Sequence, residues 1–270
     1  MRDILAEIVE KKRDIVAEAK RELPQAEIMA RLRQGGYGHF RMAESFRRQP
    51  WNLIAECKLQ SPAKGRLTRS HSAVELAHIY EANGAAMLSV HTDPHFLGSN
   101  ESFRDVRAAV RLPLLRKDFI IDEYQLYEAR LLGADAVLLI ARILSPAQLK
   151  EYLYTTWSLG MDALIEVHDE ADLEAALATP GEFIGVNNRN LVSFTTDIRN
   201  TLELLPHAGE ELKKRTFISE SGVFTAEDGE RLQAAGCAGI LVGEGLVRAE
   251  DVARQTRIFA GLGKSAEASA

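Results

Sequence analysis

The sequence predicts an α/β protein, a (β/α)8 or TIM barrel with an N-terminal helical extension, and three observations carry that expectation. From Leu53 onward, short apolar runs alternate with longer amphipathic segments, the pattern of βα units feeding a parallel sheet. Eight such runs can be counted, enough for closure. At 270 residues, 46% hydrophobic and 27% charged, the chain is also long enough to bury one large core and falls in the size range of a single barrel. An open, doubly wound sheet is the architectural alternative.

The first fifty residues lack strand character. Ile4 to Ala19 and Ala26 to Arg33 read as two amphipathic helices, followed by a polar connection around Gly35-Gly36-Tyr37-Gly38. Residues 1–48 are therefore expected to cap the barrel, either closing one end or lining the substrate entrance. The strand runs follow in order: Leu53 to Lys58, Ala86 to His91, Leu112 to Lys117, Ala136 to Ala141, Ala163 to Val167, Phe183 to Asn187, Thr216 to Glu220 and Gly239 to Gly243. Helix starts are visible at Ser145-Pro146 and Thr225-Ala226-Glu227-Asp228, and glycines at 84, 133 and 236 precede the next strand. Residues 49–262 make up the expected barrel. The composition then turns to Gly, Lys, Ser, Ala and Glu, so 263–270 read as a disordered tail.

A net charge of −6 gives no nucleic-acid footprint. The densest basic run, Lys11-Lys12-Arg13, sits among Glu7, Glu10 and Glu18 and reads as a solvated helix face. Cys57 and Cys237 fit neither a disulfide framework nor a zinc pattern, which favours a reduced, cytoplasmic setting. The N-terminus has no apolar h-region, and no stretch is long enough to cross a bilayer, so no membrane partner is expected.

Burying charge is costly, so an ionisable residue that ends an apolar strand calls for a reason. In a barrel that end faces the loops where active sites form. Strand runs here end in Glu56-Cys57-Lys58, Arg116-Lys117, Glu166, Asn187-Asn188-Arg189 and Glu220-Ser221. Alternation puts Glu56 and Lys58 on one face and turns Cys57 toward the helices as a core thiol. Each charge alone could be a structural ion pair; the set points to a polar site at one mouth. Glu220-Ser221-Gly222 and Val242-Gly243-Glu244-Gly245 follow the last two strands, where barrels often hold phosphate on backbone N–H groups, though both could be tight turns into helices.

At these residues the chain resembles the indole-3-glycerol phosphate synthase family, from about Ile4 to Gly261. The segments that carry the likeness are Ile54-Ala55-Glu56-Cys57-Lys58, Ser61-Pro62-Ala63-Lys64-Gly65, Leu115-Arg116-Lys117-Asp118-Phe119-Ile120, Glu166-Val167-His168, Ile184 through Leu191, Ser219-Glu220-Ser221-Gly222 and Leu241-Val242-Gly243-Glu244. The resemblance implies ring closure, decarboxylation and dehydration of 1-(2-carboxyphenylamino)-1-deoxyribulose 5-phosphate. Lys117 matches the general acid, expected to have a poised pKa, and Glu166 the base, with the final acid and base set apart. Lys58 matches the group holding the anthranilate carboxylate and assists the phosphate, with Glu56 as a second carboxylate. Asn187, Arg189, Glu220 and Ser221 match orienting positions, Gly222, Gly243 and Glu244 phosphate contacts, and Phe96, Phe119 and Leu191 walls for the aromatic ring. The resemblance implies no metal, nucleotide or flavin, and the partner is a small sugar phosphate acted on by a monomer or weak homo-oligomer.

The chain departs from the family pattern in three places. Leu88-Ser89-Val90-His91-Thr92 has His91 where an apolar residue usually stands, and Asp93 to Ser99 is one residue short of the usual loop. Lys58 is followed by Leu59-Gln60, and Gly245 replaces a common serine. His91 could instead satisfy a core hydrogen bond. The competing readings are phosphoribosylanthranilate isomerase and a catalytically silent phosphosugar-binding or assembly subunit.

Overall fold

Strand alternation sorts the apolar residues into two layers, and the sorting closes the sheet. The computed structural model describes residues 4–33, 40–61, 64–189 and 195–262. Its parallel strands are β1 (Asn52–Cys57), β2 (Met87–His91), β3 (Leu114–Lys117), β4 (Ala136–Ile140), β5 (Asp162–Val167), β6 (Phe183–Asn187), β7 (Thr216–Glu220) and β8 (Gly239–Val242). β1 pairs with β2 through Ile54 opposite Met87 and with β8 through Asn52 opposite Gly239, so the barrel has no edge. The open sheet is thereby excluded, and every expected run coincides with a strand to within two residues at either end.

Ile54, Met87, Leu115, Leu164, Ile218 and Leu241 point inward and fill the barrel. Leu53, Leu88, Val137, Ile165, Val186 and Ile240 point outward, with Cys57, onto the surrounding helices. Each fully buried side chain of this size is worth about 1.5–3 kcal/mol relative to exposure. The outer helices are α4 (Ala73–Ala82), α5 (Asn100–Ala109), α6 (Tyr124–Leu132), α7 (Pro146–Ser158), α8 (Glu170–Leu177), α9 (Arg199–Leu204), α10 (Ala226–Ala234), α11 (Glu244–Val247) and α12 (Val252–Gly261). Reciprocal caps start α7 at Ser145 with Gln148 and α10 at Thr225 with Asp228, where the sequence places helix starts.

Three helices precede β1: α1 (Ile4–Glu22), α2 (Gln25–Leu32) and α3 (Arg41–Phe46). Val16 and Ile28 bury against Tyr124 of α6, whose hydroxyl donates to the Ala19 and Leu23 carbonyls at 3.0 Å each. The sequence did not show α3, because six residues are too short for a readable period. Its Met42, Ala43 and Phe46 plug the N-terminal end of the barrel, with Phe46 edge-on to Phe183 at 5.4 Å. Leu5 of α1 meanwhile lines a cavity at the opposite mouth, so the extension serves both ends that the sequence left as alternatives.

The basic run needs a correction. Lys11 and Arg13 are exposed, but Lys12 is only 2% exposed and pairs with Asp93 at 2.7 Å and Asp118 at 2.6 Å. Those carboxylates follow β2 and β3, 81 and 106 residues after Lys12, beyond any local charge pattern. The Gly35-to-Gly38 connection and the 263–270 tail lie outside the described residues.

Candidate active site

One layer above the apolar filling, the inward positions change from apolar to ionisable. Lys117, at the end of β3, places its Nζ 2.5 Å from Glu220 Oε2 on β7 and 3.1 Å from Glu166 Oε2 on β5. Asn187, whose side-chain oxygen accepts the Arg189 N–H at 3.0 Å, lines the cavity at this mouth. On β1, Glu56 holds Lys58 Nζ at 3.2 Å through Oε2 and meets His91 Nε2 at 2.9 Å through Oε1. The six residues read as convergent from sequence thus do meet at the C-terminal mouth. Their neighbours at odd register behave differently: Arg116 turns outward and is taken up by Asp118, Glu128 and Thr92.

Burial opposes ionisation of Glu56, yet Lys58 and His91 hold its carboxyl well below the usual range. Glu166 is likewise buried but lowered by Lys117, then by His168. Glu220 goes the other way: burial raises it, Lys117 opposes, and the nearby Glu166 charge adds to the rise. Lys117 is driven up despite its burial by Glu220, Glu166 and Glu56 together. Three carboxylates thus favour Lys117 as a firmly held cation rather than the poised group the sequence suggests, and its Nζ is in contact with Glu166. Glu220 Oε1 is buried without a hydrogen-bond partner among the described residues.

Two glycines make room for these carboxylates. A Cβ at Gly185 would lie 2.0 Å from Glu220 Oε1, and one at Gly243 would lie 2.1 Å from Glu56 Oε2. The sequence marked Gly243 for phosphate and gave Gly185 no role; a glycine inside a strand was the available signal.

Above this layer a cavity of about 110 Å³ is walled by Leu5, Phe96, Phe119, Leu138, Ile140 and Leu241. Phe96 and Phe119 stand 6.4 Å apart, while Leu191 lies outside the described residues. His168, which sequence reasoning left without a role, also lines it, two residues beyond Glu166 on the same face. A smaller adjoining cavity is lined by Gly222, Gly243, Glu244, Gly245 and Thr196, and Lys58, Arg189 and Ser221 border both. Gly222 has φ +76°, a backbone region that disfavours side chains, and Ser221 just before it has φ +67°. The Glu244 carboxylate is taken up by Lys64 at 2.6 Å and Arg248 at 3.2 Å, so only its backbone suits an anion. Among the described residues no group of His, Cys, Asp or Glu is arranged to hold a metal ion, and no helix is long and apolar enough to cross a membrane.

The fold matches that of 3-hexulose-6-phosphate synthase, with a TM-score of 0.63 at 15% identity over 78% of this chain and 99% of that one. It also matches thiamine phosphate pyrophosphorylase from Pyrococcus furiosus, at TM-score 0.58 and 14% identity over 79% and 96%. Sequence relatives are nearer. Indole-3-glycerol phosphate synthase of Desulforamulus reducens is 44% identical over 84% of this chain and 87% of its own length. The enzymes of that name from Carboxydothermus hydrogenoformans and Bordetella pertussis are 42% and 44% identical, over 94% and 93% of this chain and 98% and 96% of their own. The family model described as indole-3-glycerol phosphate synthase matches residues 5–259, and the isomerase reading falls away. The chain belongs to the indole-3-glycerol phosphate synthase family.

Proposed function

We propose that the C-terminal mouth converts 1-(2-carboxyphenylamino)-1-deoxyribulose 5-phosphate to indole-3-glycerol phosphate, carbon dioxide and water, with Lys117 as general acid and Glu166 as base. The observation that carries this reading is the Lys117 ammonium, within 3.1 Å of both Glu166 and Glu220 beneath an aromatic-lined cavity. The cavity continues past Lys58 into glycine-rich turns suited to a phosphate.

The ring carbon bearing the carboxylate attacks the substrate ketone, and the C=O electrons move to oxygen. That alkoxide is more basic than any amine, so even a strongly held Lys117 ammonium can deliver its proton. Carbon dioxide then leaves, returning its bonding electrons to the ring and restoring aromaticity. Lys58 pairs with the carboxylate until it departs. Finally a proton leaves the carbon beside nitrogen for Glu166, the new hydroxyl takes a proton from Lys117, which solvent has reprotonated after ring closure, and departs as water, and the indole double bond forms. Glu166 is held ionised, as a base must be. Glu220 and Asn187 orient these groups. Arg189, Ser221, Gly222, Gly243 and the Glu244 backbone hold the chain and its phosphate, and Phe96 and Phe119 flank the ring.

The protein acts as a monomer or weak homo-oligomer on a small sugar phosphate. Residues 1–48 act as an extension to a catalytic unit at 49–262. A reduced, cytoplasmic setting suits two buried free thiols, Cys57 and Cys237, the latter pushed by burial to about 12. The purified chain should release carbon dioxide and indole-3-glycerol phosphate in equal amounts and complement a tryptophan auxotroph lacking the synthase. Folded protein that binds the substrate but yields neither product would support the silent subunit instead.

A further inference from the structure

One side chain on β2 touches both the charged layer and the aromatic wall. Alternation turns His91 inward, where it is buried and lines the aromatic-walled cavity. Its Nε2 faces Glu56 Oε1 at 2.9 Å; Glu56 is held as an anion and can only accept, so Nε2 carries the proton and donates it. The same ring lies flat on Phe96, with centroids 4.3 Å apart and planes 5° from parallel. The loop that carries Phe96 folds tightly back to make this contact. A Cβ at Gly98 would lie 2.4 Å from the His91 carbonyl oxygen, so only glycine lets the loop pass.

We propose that His91 is a positioning and specificity-determining residue of this site, fixing the Glu56 carboxylate and through it the Lys58 ammonium, and backing Phe96 as the wall for the substrate's aromatic ring. The assignment rests on the activity proposed above. Glu56 is held on one side by His91 and on the other by Lys58 in the hollow left by Gly243. Without the imidazole N–H the carboxylate is free to swing toward Lys117, whose charge Glu166 and Glu220 already share. Phe96, whose ring centroid lies 5.3 Å from Lys58 Nζ, would lose the flat surface that sets its tilt. The charged groups facing His91 are Glu56, Lys58 and Lys117; burial and the two lysines hold the imidazole below its usual range, against Glu56, so it is neutral at pH 7.

Three substitutions separate the two roles. His91→Phe keeps a ring for Phe96 but removes the N–H, and should lower kcat by about tenfold with KM little changed. His91→Gln keeps an N–H donor but loses the ring, and should raise KM by about tenfold with kcat largely restored. His91→Leu should suffer both losses. A folded His91→Leu enzyme with kcat and KM within about twofold of wild type would overturn the proposal, because one lost contact to a charged group is worth more than that. A second readout needs no turnover: nitrogen NMR of the His91 ring should show the Nε2–H tautomer. Its titration should shift further down in Glu56→Gln, because the charge that raises it is gone, and a titration unmoved by Glu56→Gln would also overturn the assignment. Wild type that makes no product while His91 titrates as expected would overturn only the proposed activity.

Discussion

The two ends of the barrel bury carboxylates for opposite purposes. At the N-terminal end, Asp162 Oδ2 accepts the Met42 and Ala43 N–H groups at 3.0 and 3.2 Å, and Asp135 Oδ2 accepts from Arg41, Arg107 and the Leu114 N–H. These are anchors. They join α3 and the start of β3 to the barrel with main-chain and arginine donors whose positions the fold itself sets. At the C-terminal mouth, Glu56, Glu166 and Glu220 meet lysine and histidine side chains, and Glu220 Oε1 has no hydrogen-bond partner among the described residues. The difference shows how to read buried charge: donors supplied by the fold indicate architecture, whereas lysine and histidine side chains gathered at a cavity indicate chemistry.

Substitutions at the two ends should therefore fail in different ways, and the largest expected effect is at the mouth. Lys117→Ala or Glu166→Gln should lower kcat by about 10²–10⁴-fold without loss of fold, the usual contribution of a placed acid or base. Single-turnover carbon dioxide release sharpens this. Lys117→Ala should stall before the gas appears, and Glu166→Gln should release it and then accumulate the hydroxylated precursor. Near wild-type kcat in both would remove the functional half of the comparison.

Glycine replacements make the contrast directly. Gly185→Ala drives a methyl group into the Glu220 carboxylate, and the misplaced site should lose about 10²-fold in kcat. Gly239→Ala, whose Cβ would lie 2.3 Å from the Asn52 carbonyl oxygen at the other end, should instead cost about 1–3 kcal/mol of stability in urea unfolding. Equal loss of activity in both would mean that the two ends are not separable.

Lys12→Met tests the link between α1 and the mouth. Removing a buried cation strands Asp93 and Asp118, but His95 still pairs with the first and Arg116 with the second. The cost should fall near about 3 kcal/mol, the low end for a broken buried pair. KM should rise as Leu5 leaves the cavity. A rise in KM with no stability change would recast Lys12 as a substrate contact.

The smallest effect is expected at Asp162, which burial pushes up to about 6, against the Ala43 and Met42 N–H groups. A carboxyl raised on folding adds stability that is complete below its unfolded value and lost as pH rises through about 6. Between about pH 4 and 6 wild type should therefore lose stability relative to Asp162→Asn, with kcat equal in the two. Parallel stability curves would show that the backbone donors cancel the burial.

The period-two alternation of each strand is a local property of the chain, and so the inward set Glu56, Lys58, Lys117, Glu166, Asn187 and Glu220 was legible before any fold was known. So were the helix starts at Ser145 and Thr225, because a cap is made by residues three apart. Contacts between distant strands were decided only by barrel closure. It brings Lys117 against Glu220, 103 residues away, turning an expected poised acid into a shared cation. It also buried Lys12, whose sequence neighbours are solvated, and left room beside Gly185 for the Glu220 carboxylate. Alternation sets which face a side chain takes, but strand register and helix docking set what it meets, and those depend on residues far apart in sequence.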